Sequence, residues 1–251
     1  MNVLLTNDDG IKGLGIWALA DALKNRGHEV TIAAPFTQQS GMSHALSVLR
    51  EIEYKKFPND TCEAWIFNGT PTDCVKIYLE GMNTDKKFDA VISGINDGAN
   101  LATDVLYSGT VGAALEGFLH QIPSLAVSRD KNSEIPFEIA AQNTVSYLEK
   151  VFALNLEVFL HNVNFPVNFR SNKPEFLITR LGQRDYINAF QSRVGEDGKT
   201  YFRIGGTIFD TDSSEGTDIF AINQGFIAVT PLNYDFADYD SIIFLRKAFR
   251  G

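Results

Sequence analysis

The chain has 251 residues, 44% of them hydrophobic, which is enough to bury one large core or a core with an extension. Its 22 Lys and Arg residues stand against 31 Asp and Glu residues, and the net charge of -9 argues against binding to nucleic acid polymers or membranes. It shows no secretory signal, no apolar segment of transmembrane length and no disulfide framework, so we expect a cytoplasmic protein.

Strand and helix patterns alternate through the first two thirds of the chain. Apolar runs predict strands at residues 2–6, 29–34, 88–93, 124–127 and 157–162, and helical spacing predicts helices at 15–26, 72–80, 110–120 and 137–151. Strands separated by helices pair in parallel. The pattern therefore predicts an α/β fold, a Rossmann-like, doubly wound and mostly parallel sheet.

The pattern changes near residue 170, where we place a soft boundary between a core (1–170) and a C-terminal extension (171–251) of what we expect to be a single domain. Residues 188–205 predict a projecting β-hairpin that turns at Glu196, Asp197 and Gly198. Its strands are apolar and aromatic, and exposed surfaces of this kind usually mark contacts. We expect a homo-oligomer held by residues 186–206 and 239–249; the alternative is a hairpin folded over its own domain.

Three polar clusters follow predicted strands, at residues 6–10, 38–41 and 93–100. Ligands of an open parallel sheet bind beyond the carboxyl ends of its strands, so these clusters can meet in space. The adjacent Asp8 and Asp9 repel each other, and an all-oxygen ligand set suits a hard divalent cation. The alternative is that the pair caps the following helix. We favour a metal, because two more polar strand ends face the pair.

A fourth cluster, residues 107–114, places small hydroxyl residues and glycines directly before a predicted helix. Free amides at a helix N-terminus bind anions such as phosphate. Ordinary capping by Ser108 explains the motif equally well. A metal beside a phosphate-sized anion site would describe metal-assisted phosphoryl hydrolysis.

The four histidines predict no site of their own. His28 and His161 flank strands and His120 ends a helix, where solvent-facing or capping roles are expected. His44 lies four residues after Ser40 and could approach the metal cluster.

Several stretches, in order along most of the chain, resemble the SurE family of metal-dependent nucleotidases, also called survival protein E. They are LLTNDDGI, APFTQQSG, FNGTPTDCV, VISGINDGANLATDVLYSGTVGAALEG, HNVNFP and TDIFAINQGFIAVTPL. Small departures from the family pattern occur at Gly13, Leu14 and residues 45–47. They leave the metal-binding residue types intact.

The resemblance implies one divalent metal ion per subunit, Mg²⁺ or Mn²⁺, coordinated by four residues: Asp8, Asp9, Ser40 and Asn96. It also implies a substrate phosphate near the turn formed by Ser108, Gly109 and Thr110 and near the loop that ends at Asn100, with Gly41 as a further contact. Family members associate through their C-terminal segments into homodimers and often homotetramers.

We therefore expect a phosphomonoesterase that hydrolyses nucleoside 5′- or 3′-monophosphates, and short polyphosphate as a further substrate. Asp8 or Asp9 would accept a proton from the attacking water. An aspartyl-phosphate phosphatase would need acids in an Asp-x-Asp pattern, whereas here they are adjacent. A receiver-like signalling module would need a phosphoacceptor Asp, which residues 51–57 do not supply. A non-catalytic nucleotide-binding module remains the strongest alternative.

Overall fold

A nine-stranded sheet forms the centre of the protein in the computed structural model, which describes residues 1–82 and 85–249. The strands of the described residues, including β9 to β12, which lie outside this sheet, are β1 (Asn2–Thr6), β2 (Glu29–Pro35), β3 (Tyr54–Lys56), β4 (Glu63–Phe67), β5 (Ala90–Asp97), β6 (Ser124–Arg129), β7 (Leu160–Phe165), β8 (Phe176–Ile178), β9 (Gln183–Ile187), β10 (Phe190–Val194), β11 (Thr200–Ile204), β12 (Thr207–Asp212) and β13 (Ile227–Pro231). The α-helices are α1 (Leu14–Asn25), α2 (Pro71–Lys76), α3 (Gly109–Leu119), α4 (Phe137–Phe152), α5 (Asp218–Asn223) and α6 (Tyr239–Ala248).

The sheet order is β3-β4-β2-β1-β5-β6-β7-β13-β8. The run from β4 to β7 is parallel throughout, and the antiparallel pairs are β3 with β4 and β13 with β7. This arrangement confirms the predicted doubly wound, mostly parallel α/β fold. It also places β1 between β2 and β5, so the carboxyl ends of these three strands form one continuous edge.

Helices cover both faces of the sheet. Alternate residues of each strand point to opposite faces, so each face has its own hydrophobic core. Val3 and Leu5 belong to a core that includes α1 and α4, whereas Leu4 belongs to a second core that includes residues of α2 and α3. The continuous apolar run of β1 is the pattern of a strand buried on both faces.

The observed elements differ from the sequence prediction in several places; β5, for example, ends at Asp97 rather than at residue 93. Strand β4 was not predicted, because its apolar run is only four residues long and follows a polar segment. Strand β7 begins three residues later than the predicted 157–162, at Leu160. The sheet also includes β8 and β13, and so takes strands from both sides of residue 170.

The C-terminal hairpin prediction is confirmed, and the hairpin is longer than expected. Strand β10 pairs antiparallel with β11, and the strands on either side of them in the chain, β9 and β12, also pair antiparallel with each other. Gly198 supplies the positive φ of 75° that the turn requires. Every residue of β10 and β11 is exposed, and helix α6 buries none of its residues. Among the described helices, none combines the length and apolarity needed to cross a membrane.

Candidate active site

Asp8 and the N-terminus of α3 are in direct contact at the carboxyl edge of the sheet. Asp8 is 6% exposed, and its Oδ1 accepts a 2.6 Å hydrogen bond from the Thr110 hydroxyl. A Cβ atom added to Gly109 would lie 3.2 Å from the Asp8 Cβ. The first turn of α3 therefore packs closely against Asp8.

The two adjacent carboxylates have unfavourable surroundings for negative charge. Burial raises the pKa of Asp8 to about 6, with the Asp9 charge adding to the rise and the Thr110 hydrogen bond opposing it. Burial also raises the pKa of Asp9; a backbone hydrogen bond from Asp97 opposes the rise, and the Asp97 charge adds to it. None of the described groups that shift these two pKa values carries a positive charge. A bound cation would supply the missing compensation.

The segment 36–50, here called the Ser40 loop, crosses over this pair of carboxylates. The Gln39 backbone N–H donates a 2.7 Å hydrogen bond to the Asp8 carbonyl oxygen. The Gln38 side-chain amide lies 3.4 Å from Asp9 Oδ1. Ser40 follows directly and is exposed. The loop then bonds to the segment before α3, through Ser43 N–H and Oγ, which donate to the carbonyl oxygens of Tyr107 and Leu106.

The end of β5 supplies the third side of the site. The pairing of β5 with β6 shifts register between Ser93 and Asn96, so the strand bulges just before Asn96. The Asn96 amide nitrogen donates a 2.6 Å hydrogen bond to the Gly98 carbonyl oxygen, which leaves its amide oxygen as the atom suited to a cation. The next residue, Asp97, lies close enough to Asp9 to affect its pKa through both its backbone N–H and its charge.

Buried polar atoms beneath this edge also fit a charged ligand. Thr6 Oγ1, Asn7 Oδ1 and Ser93 Oγ are buried, and none has a hydrogen-bond partner among residues 1–82 and 85–249. Thr6 and Ser93 are direct neighbours in the register of β1 and β5. Buried polar atoms are nearly always paired in native proteins. With the two aspartates, they give the site an oxygen-rich chemistry that suits a hard divalent cation.

The N-terminus of α3 combines both roles that the sequence allowed. Ser108 caps the helix, because its Oγ accepts a 3.1 Å hydrogen bond from the Val111 N–H. The remaining first-turn amides and the helix dipole favour an anion beside Asp8. Capping and anion binding are thus compatible here.

Asn100 is held by a network that the sequence did not reveal. Its backbone N–H donates to Asn164 Oδ1, its side-chain amide donates to Ser128 Oγ, and its carbonyl oxygen accepts from Asn162 Nδ2. Each of these three hydrogen bonds is 2.8 Å long. Asn162 and Asn164 are alternate residues of β7 and come from the stretch HNVNFP. That stretch indicated that a polar network was needed here, since two asparagines on one face of a buried strand require polar partners.

A second acidic cluster lies around the C-terminal part of α3, where Glu80, Glu116 and His120 have ligand atoms close enough to hold a metal. Lys76 Nζ is already 2.9 Å from Glu80 and 3.1 Å from Glu116. His120 also contacts Glu80 over 2.7 Å. Because Lys76 and His120 already bond to these carboxylates, we interpret the cluster as a structural network of polar contacts.

The chain is similar to proteins of a known family over most of its length. The model of the family "Survival protein SurE" matches residues 3–188. A protein of Heliobacterium modesticaldum named 5'-nucleotidase SurE is 42% identical over 246 residues, 96% of this chain and 89% of its own. One of the same name from a Thermoanaerobacter species is 40% identical over 249 residues, 98% of each chain.

A solved structure gives the same result. The crystal structure of the SurE protein from Aquifex aeolicus superposes with a TM-score of 0.82 at 36% identity, covering 98% of this chain and 100% of that one. The match thus extends over nearly the whole chain. The chain belongs to the SurE family.

Proposed function

We propose that this protein is a metal-dependent phosphomonoesterase that hydrolyses nucleoside 5′-monophosphates to nucleosides and phosphate. The observation that carries the proposal is the contact between Asp8 and Thr110, which joins a buried carboxylate pair to a helix N-terminus suited to phosphate. The relatives named 5'-nucleotidase, about 40% identical over nearly the whole chain, support the same reaction. Hydrolysis of 3′-monophosphates and short polyphosphate is the wider part of the proposal.

We assign one divalent ion, Mg²⁺ or Mn²⁺, to Asp8, Asp9, Ser40 and Asn96. The four residues come from three segments that meet at the aspartate pair: the end of β1, the Ser40 loop and the end of β5. When bound, such an ion neutralises charge on the phosphate and makes a water more acidic.

The side chains around the ion then divide the remaining work. Asp8 or Asp9 accepts the proton of the attacking water. First-turn amides at Gly109 and Thr110 stabilise the charge that develops on the phosphoryl oxygens. Gly41 and Asn100 border the phosphate on its other sides, and Ser108 holds the turn in place through its cap.

We propose further that the protein acts in the cytoplasm as a homo-oligomer, at least a dimer, with residues 186–206 and 239–249 at subunit contacts. Both segments expose large apolar side chains: Phe202 is 72% exposed, Ile204 80% and Phe244 70%. Apolar surface of this density is typical of an interface.

Phosphate release from AMP and GMP by the purified protein, with Mn²⁺, with Mg²⁺ and after chelation, tests the reaction. We expect release only when a divalent ion is present, and none from the matched variant Asp9→Asn. Saturable binding of AMP without release of phosphate would instead identify a nucleotide-binding module. Ribose 5-phosphate and a 3′-monophosphate in the same assay separate the phosphate site from preferences for base and position.

A further inference from the structure

The Ser40 loop is attached to the side of α3 by a histidine that the proposed reaction does not use. His44 Nε2 lies 2.7 Å from Glu116 Oε2, and these residues are 72 positions apart in the chain. Glu116 is 3% exposed, so the contact is sheltered from solvent on the helix side. A buried carboxylate of this kind is costly unless it is paired.

The loop and the helix also touch through their backbones at this point. A Cβ atom added to Gly112 would lie 2.3 Å from the Ser43 carbonyl oxygen and 2.9 Å from the His44 Cα. Gly112 therefore allows an approach that any side chain would prevent. His44 meets Glu116 one helical turn beyond this contact, where α3 residues four apart share a face.

The contact is not needed to neutralise Glu116, which has other partners. Lys76 Nζ lies 3.1 Å from Glu116 Oε1, and His120 Nδ1 lies 3.6 Å from the same atom. Burial acts to raise the pKa of Glu116, but hydrogen bonds from His44 and Lys76 outweigh it and the pKa is lowered. Lys76 and His120 therefore remain beside Glu116 when His44 is replaced.

The far end of the loop has separate attachments. The Ala45 carbonyl oxygen accepts a 2.7 Å hydrogen bond from the Thr70 hydroxyl, and Ser47 donates from both N–H and Oγ to Asp73. These bonds hold residues after 44 to the start of α2. Ser40 and Gly41 lie between Gln39, fixed to Asp8, and the contacts of Ser43 and His44.

We infer that His44 and Glu116 form a positioning pair, which sets Ser40 and Gly41 at a fixed distance from the phosphate-binding N-terminus of the same helix, α3. The inference rests on the proposed function, since it takes Ser40 as a metal ligand. Helix α3 then carries the phosphate turn at one end and, through Glu116, anchors the loop that completes the metal site. Losing the pair leaves the fold intact and loosens the loop.

Three variants test the pair. His44→Gln places an amide N–H near the position of Nε2 and keeps the hydrogen bond to Glu116, whereas His44→Asn is too short to reach it. His28→Ala is the matched control: His28 Nε2 lies 3.1 Å from Glu149, an ion pair of the same kind between a histidine and a helix glutamate that contacts no residue of the site. Each purified protein is titrated with Mn²⁺ by calorimetry, and kcat and KM for AMP are measured.

We expect His44→Asn to weaken Mn²⁺ binding by about 10-fold or more and to lower kcat/KM accordingly, the usual range for losing support behind a metal ligand. His44→Gln should retain affinity within about 3-fold, and His28→Ala should bind Mn²⁺ as the wild type does while melting at a lower temperature. Unchanged affinity in His44→Asn, or equal loss in His28→Ala, would overturn the inference.

The titration also separates this inference from the proposed function, because calorimetry needs no turnover. If Asp9→Asn abolishes Mn²⁺ binding and His44→Asn does not weaken it, the metal site stands and the positioning pair falls. If Asp9→Asn leaves Mn²⁺ affinity unchanged, the metal site itself is wrong and the inference falls with it. Circular dichroism of each variant shows that losses arise in a folded protein.

Discussion

The Thr110 hydroxyl donates a 2.6 Å hydrogen bond to Asp8 Oδ1 from 102 positions away in the chain. The bond connects the end of β1 with the first turn of α3, two elements on different sides of β5 in the sequence. Because Asp8 is buried, this hydroxyl is the side-chain donor that counters its desolvation. Replacing either residue therefore changes the charge balance of the whole site, and the predictions below depend on that balance.

We expect Asp9→Asn to reduce Mn²⁺ affinity roughly 100-fold or more and to abolish phosphate release, while the protein stays folded. The substitution keeps the side-chain shape and removes the charge that a cation requires. Because burial and the Asp97 charge disfavour an ionised Asp9, the variant should melt at or above the wild-type temperature when no metal is present. Calorimetry and thermal melting measure both effects, and wild-type Mn²⁺ affinity in this variant would contradict the metal assignment.

Gly109→Ala should impair both substrate binding and metal binding. The added Cβ would lie 3.2 Å from Asp8 Cβ and 3.3 Å from the Gln39 carbonyl oxygen, so Asp8 and the Ser40 loop must shift by a few tenths of an ångström to admit it, and it crowds the phosphate. We expect a rise of about 10-fold in KM for AMP and a measurable loss of Mn²⁺ affinity. Gly205→Ala is the matched control, since a Cβ there meets no atom within 4 Å. Normal kinetics in Gly109→Ala would return this turn to a purely structural helix cap.

Stabilisation by Mn²⁺ should increase with pH. In the metal-free protein the pKa of Asp8 is raised from 3.8 to about 6, so the folded state binds a proton more readily than the unfolded chain between these values. An ionised Asp8 therefore lowers the free energy of unfolding. This loss is absent below about pH 4 and fully present above about pH 6. Metal binds the ionised form, so the Mn²⁺-induced rise in melting temperature should be larger at pH 7 than at pH 5.

The variant Thr110→Val checks the cause of that pH dependence. It removes the hydrogen bond that lowers the pKa of Asp8, so the gain in melting temperature should begin at a higher pH than in the wild type. An identical onset in both proteins would show that another group controls metal binding.

His161 should make the fold sensitive to acid. It is buried, its Nδ1 lies 2.8 Å from the Tyr147 hydroxyl, and burial lowers its pKa from 6.5 to about 4. The unfolded chain therefore binds more protons between these values, and stability falls as pH falls through that range. We expect the loss in unfolding free energy between pH 7 and pH 5 to be about 2 kcal/mol greater in the wild type than in His161→Gln. Urea unfolding at both pH values measures it; equal losses would contradict the buried neutral histidine.

Replacing residues 188–205 with a short turn should lower the molecular mass in solution. The replacement removes the exposed strands β10 and β11 and leaves the nine-stranded sheet unchanged. Light scattering at micromolar concentration should show an oligomer for the intact chain and a smaller species for the shortened one. A monomeric intact protein would refute the oligomer, and an unchanged mass would exclude the hairpin from the interface.

The parts of this molecule that sequence predicted are those encoded locally. The apolar run of β1, the acidic pair that follows it and the Ser108 cap of α3 are each written within a few adjacent residues. The fold class followed from the alternation of strands and helices, and the structure confirms it. Strand β4 has only five residues, so its short apolar run did not stand out from the loop before it.

What sequence missed depends on pairings across long stretches of chain. Asn162 and Asn164 hold Asn100 across more than sixty positions, and no local pattern links them. His161 was expected to face solvent beside a strand. It is instead the second residue of β7, and its ring stacks on that of Phe159 with the ring centroids 4.6 Å apart. Periodicity places a residue on an element; burial is decided by the neighbours that the fold brings to it.

Helix α3 contains two interior glycines that the packing demands: a Cβ at Gly112 would meet the Ser40 loop, and one at Gly117 would lie 2.6 Å from Ser124 Oγ. Each glycine costs an isolated helix roughly 1 kcal/mol relative to alanine. A helix of 11 residues with that handicap has little helical content by itself. The helical structure of α3 therefore depends on its packing against the sheet, and so does the order of the anion-binding turn at its start.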